Sequence, residues 1–201
     1  MNRVMVAMAL SVAAAAAGVI DRVAVVVGTQ VITESEVLLE VRLTEFLNGQ
    51  PLDVGADQRK AAAERLVDQQ LIRNEMQIGG YPMPAASEGE EVLRKFRQEN
   101  YRSVAAFQAA LEKHNLTEDE VKRHLLWQVT AMRFTDLRFH MAISAPAQQS
   151  ADRSTSADRS TEADRSTDAG QSKDTGEDQM VVWLKEARIA TRIQFKKGAF
   201  Q

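Results

Sequence analysis

The sequence predicts a mainly α-helical domain with a small β-sheet formed by the two ends of the chain. Three observations lead to this fold class. Apolar residues recur at helical spacing through most of the first 140 residues. Several Ser or Thr residues are followed three positions later by Glu, the capping-box pattern that is typical of helix N-termini. Alternating apolar residues just after residue 20 and again near residue 193 predict strands.

Composition indicates one globular core. The chain has 201 residues, of which 44% are hydrophobic, and this fits one domain with accessory segments. A formal net charge of −3 gives no reason to expect nucleic acid or an anionic membrane as the partner. Because the chain has no cysteine, disulfides and thiolate metal sites are excluded.

The N-terminus has the layout of a secretory signal peptide. Arg3 precedes an apolar run, and Ala15 and Ala17 fit the small-residue rule for cleavage. We expect residues 1–17 to be removed, which leaves 24 basic and 28 acidic residues, a net charge of −4. The alternative is an uncleaved membrane anchor over residues 4–20, a stretch at the short limit for spanning a bilayer. A cleaved signal implies an extracytoplasmic protein.

The mature chain begins with a predicted β-hairpin that leads directly into a helix. Valines alternate at 23, 25 and 27, Gly28-Thr29 forms the turn, and residues 30–32 make the returning strand. Thr33 with Glu36 forms a capping box, so a helix is predicted from the end of the second strand to about residue 48.

Two longer helices are predicted next. One extends from about residue 58 to residue 78 and is ended by Gly79-Gly80. Its predicted inner stripe comprises Ala63, Leu66, Val67, Leu71 and Ile72. Ser87 with Glu90 forms a second capping box, which predicts a helix that ends near residue 101.

Two more helices complete the N-terminal part. Ser103 is the predicted cap of a short helix whose inner residues are Val104, Phe107, Ala110 and Leu111. Thr117 with Glu120 forms a third capping box and begins the longest helix of this region. That helix is predicted to bury Val121, Leu125, Val129 and Met132.

Two strands and one helix are predicted in the remainder of the chain. Phe139, Met141 and Ile143 alternate over residues 139–144 as in a strand. From about residue 178 an amphipathic helix is predicted, followed by a strand with Ile193 and Phe195 on one face. A lone helix and a lone hairpin are both marginal in water, so we expect this C-terminal strand to complete the sheet of the N-terminal hairpin.

Residues 146–177 are a polar linker with hexapeptide repeats, seen in ADRSTSADRSTEADRST. They lack large apolar side chains, so we expect them to be disordered. Closing a flexible loop of this length costs roughly 3 kcal/mol. Burial of Trp183, Leu184, Ile193 and Phe195 is expected to contribute about 6 to 10 kcal/mol, so docking of the C-terminus is favoured.

Four segments carry a resemblance to a known family: DRVAVVVGTQVITESEV, AAAERLVDQQLIRNEM, LTEDEVKRHLLWQVT and WLKEARIATRIQF. In this order they resemble the SurA-like family of periplasmic chaperones, which includes peptidylprolyl isomerases. The resemblance implies one discontinuous SurA-N-like chaperone domain, made of residues 18–145 and 178–201. In the family, parvulin-type isomerase domains are inserted between such parts. This chain has only the repeats there, so the resemblance does not extend to isomerase activity.

No catalytic, cofactor-binding or metal-binding residue is predicted, and no cofactor. His114, His124 and His140 are 10 and 16 residues apart, so no two of them lie on neighbouring helical turns. The acidic groups at residues 34–36, 88–91 and 118–120 each fall in a first helical turn, where they complement the helix dipole.

The methionines have two interpretations. Their flexible thioethers fill irregular gaps in a core, and they also suit a surface that accepts many apolar ligands. The residues concerned are Met76, Met83, Met132, Met141 and Met180. Core filling is the expected role and a client-binding surface the alternative, so client-binding residues are left unassigned.

The functional hypothesis is therefore a holdase chaperone, which the resemblance to the SurA-like family places in the periplasm. We expect it to bind unfolded outer-membrane or envelope polypeptides without ATP, nucleic acid or stable membrane insertion; the sequence leaves its oligomeric state open. One alternative is an envelope interaction module that binds a single folded partner. The other is a residual prolyl isomerase.

Overall fold

The computed structural model describes residues 21–140 and 168–200. The predicted signal peptide, its alternative as an anchor and most of the predicted linker lie outside the described residues. Within the described part, no helix combines the length and apolar character that a membrane span requires.

The described residues form six α-helices, one π-helical turn and three strands. In chain order these are β1 (Val23–Val27), β2 (Gln30–Thr33), α1 (Glu34–Leu47), α2 (Ala56–Gly79), α3 (Ala86–Asn100), α4 (Val104–His114), α5 (Glu118–Thr135), the π-helical turn (Asp136–His140), α6 (Asp168–Ala190) and β3 (Ile193–Phe195).

The two ends of the chain form one antiparallel sheet in the order β2-β1-β3. The predicted fold class is thereby confirmed: the fold is mainly helical, and the C-terminal strand pairs with the N-terminal hairpin. Gly28, with a φ of 59°, is the first central residue of the hairpin turn, the position at which a type II′ turn requires glycine. A bulge between Val23 and Val25 disrupts the predicted alternation, so Val23 is exposed while Ala24 and Val25 are both buried.

Two of the three predicted capping boxes are confirmed. The Thr33 N–H donates to the Glu36 carboxylate at 2.7 Å, and the Thr117 N–H donates to Glu120 at the same distance. The third was wrong, because α3 begins two residues earlier than expected. Its first turn is closed by the Ala85 N–H, which donates to the Glu88 carboxylate at 2.9 Å.

Three further expectations differ from the structure. The C-terminal helix begins at Asp168 instead of near residue 178, so it includes the end of the predicted linker. That stretch has no proline, and extending a formed helix costs far less than nucleating one. Phe139 lies in the π-helical turn instead of a strand, because it continues the packing of α5; residues 141–144 of that predicted strand lie outside the described residues. Three side chains that were expected inside, Val104, Met132 and Phe195, are exposed.

Three apolar clusters hold the domain together. The first joins the sheet to α1, α2 and the C-terminal residues. The second is built around Phe46 and Phe107 between α1, α3, α4 and α5. The third surrounds Phe134, whose ring lies 5.5 Å from that of Trp183, so α6 packs directly on the N-terminal helices.

Candidate functional site

A methionine hollow lies where α2 ends and the chain turns towards α3. Gly80 adopts the left-handed conformation that ends α2, and the Tyr81 N–H donates to the Met76 carbonyl at 3.0 Å. This turn brings Met83 back over the helix end, where it is 67% exposed while Met76 is buried. The resulting hollow of about 420 Å³ is lined by Arg73, Met76, Gln77, Gly80, Tyr81 and Met83.

A tryptophan groove of about 280 Å³ lies between α1, α2 and α5. Leu39, Leu43 and Leu66 supply apolar lining, and Trp127 of α5 faces Arg73 of α2. The Arg73 guanidinium carbon is 4.4 Å from the Trp127 ring centroid, a cation–π contact. Arg73 lines both the groove and the methionine hollow, so the two depressions meet at this side chain.

One of the side chains that line the tryptophan groove, Glu40, is a buried carboxylate. Glu40 is almost fully buried, and its oxygens lie 3.2 Å from Arg65 Nε and 3.6 Å from His124 Nδ1. Burial lowers the pKa of His124, and the attraction of Glu40 opposes this shift only partly. Burial likewise lowers the pKa of the Arg73 guanidinium. The lining of the groove therefore combines leucine and tryptophan side chains with charged ones, which also include Glu36, Glu120 and Arg123.

A second, more apolar groove lies along α6 where it packs on α2. Its volume is about 560 Å³, and it is lined by Asp68, Val181, Leu184, Lys185, Arg188 and Ile189. Val181 is 66% exposed and Ile189 80% exposed. This α6 groove is held in place by Arg188, whose Nη1 donates to Glu64 at 2.5 Å and whose Nε donates to Asp68 at 2.6 Å.

The charged cleft between α3 and α5 serves a structural purpose. Lys122 Nζ lies 2.7 Å from both Glu90 and Asp119, and these two contacts raise the lysine pKa. Arg133 pairs with Glu88 across the same pair of helices and lowers the pKa of that carboxyl group. The Lys122–Glu90 and Arg133–Glu88 pairs therefore connect α3 with α5.

The two histidines whose side chains the structure describes, His114 and His124, do not share a site. His114 is buried, with Nδ1 2.9 Å from the Ala110 carbonyl and Nε2 3.1 Å from the Gln50 carbonyl. His124 lies apart from it in the tryptophan groove, and the His140 side chain is outside the described part. Among the residues that the structure describes, no group of His, Asp and Glu could hold a metal ion.

The methionines divide between the two roles that the sequence left open. Met76 is buried and Met180 half-buried in the third cluster, so they fill the core. Met83 and Met132 are exposed, and Met141 lies outside the described residues.

Sequence reasoning missed the Arg73–Trp127 contact and the α6 groove. The groove had a signal, because Val181, Val182 and Ile189 extend the apolar surface of the last helix beyond the stripe that packs inward.

No protein-family model and no curated protein matches this chain.

Proposed function

We propose that this protein is a periplasmic holdase that binds extended apolar segments of unfolded envelope proteins, including outer-membrane proteins. The observation that carries the proposal is the pair of apolar depressions, the methionine hollow and the α6 groove. Large apolar side chains that remain exposed beside concave surfaces are typical of sites for apolar polypeptides.

The chemistry of these depressions suits weak and unselective binding. The Met83 side chain is unbranched and adapts to client side chains of different shapes. Each apolar anchor that becomes buried contributes about 1.5 to 3 kcal/mol, from which the cost of ordering the client is subtracted. Two or three anchors therefore give reversible binding, which a chaperone without ATP needs to release its client.

The order of the four SurA-like segments supports the same proposal and the periplasmic location that it assumes. In the SurA-like arrangement the chain leaves the module and returns to complete it, which agrees with the docking of α6 and β3 on the N-terminal part. Isomerase activity is not proposed, since this chain has only the repeats where the family has its isomerase domains.

The α6 groove also favours a second candidate, an interaction module with a single folded partner. Arg188 fixes α6 through two carboxylates, and a rigid helix face with Val181 and Ile189 suits one complementary surface. The two candidates differ in selectivity, which an aggregation assay measures.

The test is light scattering of a chemically unfolded outer-membrane β-barrel protein diluted into the mature chain from Gly18. We expect suppression of aggregation at near-stoichiometric ratios, with several unrelated clients. The double variant Met83→Glu/Val181→Glu places charge in both depressions and should lose most of this suppression. Val104→Glu is the matched control, because Val104 is equally exposed apolar surface at 58% but lies at the start of α4.

Circular dichroism should show that both variants remain folded. If the folded wild-type chain suppresses no aggregation, the holdase proposal is wrong and the single-partner module replaces it. If the double variant suppresses as well as Val104→Glu does, binding occurs elsewhere on the surface. Acceleration of a proline-limited refolding step at substoichiometric amounts would instead indicate an isomerase.

A further inference from the structure

The outer edge of β3 has backbone groups that the fold leaves unpaired. In the ladder with β1, the Gly28 N–H donates to the Arg192 carbonyl at 2.8 Å and the Lys196 N–H donates to the Ala24 carbonyl at 2.9 Å. Val26 pairs with Gln194 between these two positions. In an antiparallel strand, the backbone N–H and C=O groups of alternate residues point to opposite sides. The backbone groups of Arg192, Gln194 and Lys196 therefore all point towards β1.

Ile193 and Phe195 must then direct their N–H and C=O groups away from β1. Within residues 21–140 and 168–200, no hydrogen bond involves these four groups. An unpaired strand edge of this kind is a template for a further strand.

The opposite edge of the sheet, on β2, is less suitable. The backbone groups of Val25 and Val27 pair with those of Ile32 and Gln30. The N–H and C=O groups of Val31 and Thr33 therefore point away from β1. The Thr33 N–H already donates to the Glu36 carboxylate at 2.7 Å as part of the helix cap. Among the described residues, β2 therefore has one residue, Val31, whose N–H and C=O groups are both unpaired, whereas β3 has two, Ile193 and Phe195. This makes β3 the better template for a further strand.

The side chains at the β3 edge favour an apolar neighbour. Ile193 and Phe195 are the cross-strand partners of Val27 and Val25, two residues that are fully buried on the core face. The Phe200 ring lies 6.0 Å from that of Phe195, which nevertheless remains 37% exposed; within the described ranges no strand lies on its outer side. An added strand with apolar residues at alternate positions would cover this ring and extend the buried face.

Charge distinguishes an external strand from a second copy of this chain. If the β3 strands of two copies paired antiparallel, Ile193 of each copy would lie opposite Phe195 of the other, and Gln194 opposite Gln194. Arg192 would then lie opposite Lys196 at both ends of the pair. Like charges directly opposite are unfavourable. Arg192, Lys196 and the adjacent Lys197 are all exposed, so they favour a segment that is flanked by acidic residues.

We propose that the outer edge of β3 accepts an extended segment of an unfolded polypeptide as a fourth strand, with alternate apolar residues and acidic flanks. This inference deepens the proposed holdase function and rests on it. It adds directional backbone binding to the non-directional contacts of the two depressions.

The probe is a fluorescein-labelled peptide in which Val and Thr alternate between pairs of Asp, compared with the same peptide flanked by Lys. We expect the amides of Ile193 and Phe195 in the wild-type mature chain to exchange more slowly with the Asp-flanked peptide bound. Arg192→Glu/Lys196→Glu should reverse the preference between the two peptides.

Ile193→Pro removes one outward N–H without touching the bonds to β1, and it should weaken peptide binding about tenfold. Val31→Pro is the matched control, since it removes an outward N–H from the other edge, and its peptide affinity should stay within about twofold of wild type. The exchange measurement needs no variant, so it decides the question even if a proline variant fails to fold.

The outcomes separate the inference from the function beneath it. If the chain suppresses aggregation but the peptide leaves the exchange of Ile193 and Phe195 unchanged, the edge inference is wrong and the holdase proposal stands. Protection of these amides without any suppression would overturn the holdase proposal instead. Protection that rises with protein concentration in the absence of peptide would identify a second copy as the occupant and overturn the inference.

Discussion

Replacing Trp183 with Ala tests whether α6 is an integral part of the domain. The indole of this half-buried residue packs against both the first and the third apolar cluster. Its ring lies 5.5 Å from that of Phe134, and the Arg138 guanidinium carbon is 5.3 Å from its centroid. Trp183→Ala therefore removes contacts that connect α6 with α5 and the π-helical turn.

The expected loss follows from the extent of burial. Truncation of a fully buried Trp costs about 3 to 5 kcal/mol, and a half-buried side chain should lose roughly half of this, about 2 kcal/mol. For a domain of this size each kcal/mol corresponds to about 2 to 4 °C in Tm. We therefore expect Trp183→Ala to lower the Tm of the whole domain by about 4 to 8 °C.

The assay can follow the N-terminal body on its own. The chain has two tryptophans, so in Trp183→Ala the remaining fluorescence comes from Trp127 on α5. Thermal and urea unfolding of this variant are compared with those of Trp183→Phe, which retains an aromatic ring. Val182→Ala serves as the matched control, because Val182 is the neighbouring residue and is 58% exposed.

Cooperative docking requires that the Trp127 transition moves to lower temperature together with the loss of helical circular dichroism. Trp183→Phe should retain part of the stability, and Val182→Ala should change it by less than about 0.5 kcal/mol. A Trp127 transition at the same temperature in Trp183→Ala and Trp183→Phe would refute the reasoning, because α6 would then unfold independently of the body.

Two further predictions concern charged side chains. Arg188→Lys keeps the charge but loses the forked contact with Glu64 and Asp68. Because Arg188 is about one-third exposed, we expect the free energy of unfolding, measured in urea, to fall by about 1 kcal/mol. An unchanged free energy of unfolding would contradict a specific role of the two contacts. Burial lowers the pKa of His124, so its imidazole takes up a proton at higher pH in the unfolded chain than in the folded chain. The stability of the fold therefore falls as the pH drops below the ordinary histidine pKa of about 6.5. His124→Asn should make this decline shallower between pH 7.5 and pH 5, and an unchanged slope would assign the pH dependence to other groups.

Local sequence signals predicted the elements well because their causes are local. Thr33 with Glu36 and Thr117 with Glu120 each satisfy backbone donors of the same turn, so the residues that form the cap also identify it. Ser87 with Glu90 has the same spacing but does not act as a cap. Glu88 closes that turn and Glu90 pairs with Lys122 on α5, a partner that spacing along the chain cannot reveal.

The candidate surfaces were harder to predict because they depend on which apolar residues the tertiary packing leaves uncovered. Met132 and Met76 have similar helical surroundings in the sequence, yet one is exposed on α5 and the other is buried under Phe134. The same limit applies to the free edge of β3. The sequence predicted the strand, but only its register with β1 shows that the backbone N–H and C=O groups of Ile193 and Phe195 point away from the sheet.

The arrangement around the third cluster explains how a domain made from two distant segments tolerates a repetitive connection. Phe139, at the end of the N-terminal part, shares this cluster with Met180 and Trp183 of the returning helix. The two ends of the connection are thus fixed by the same core. Lengthening such a connection adds little to the closure cost, about 0.6 kcal/mol for each doubling of its length. The described residues that line the hollow and the α6 groove, and those of the β3 edge, belong to α2, the loop after it, α6 and β3. We therefore expect variants with a longer or shorter connection to keep the binding surfaces that we propose.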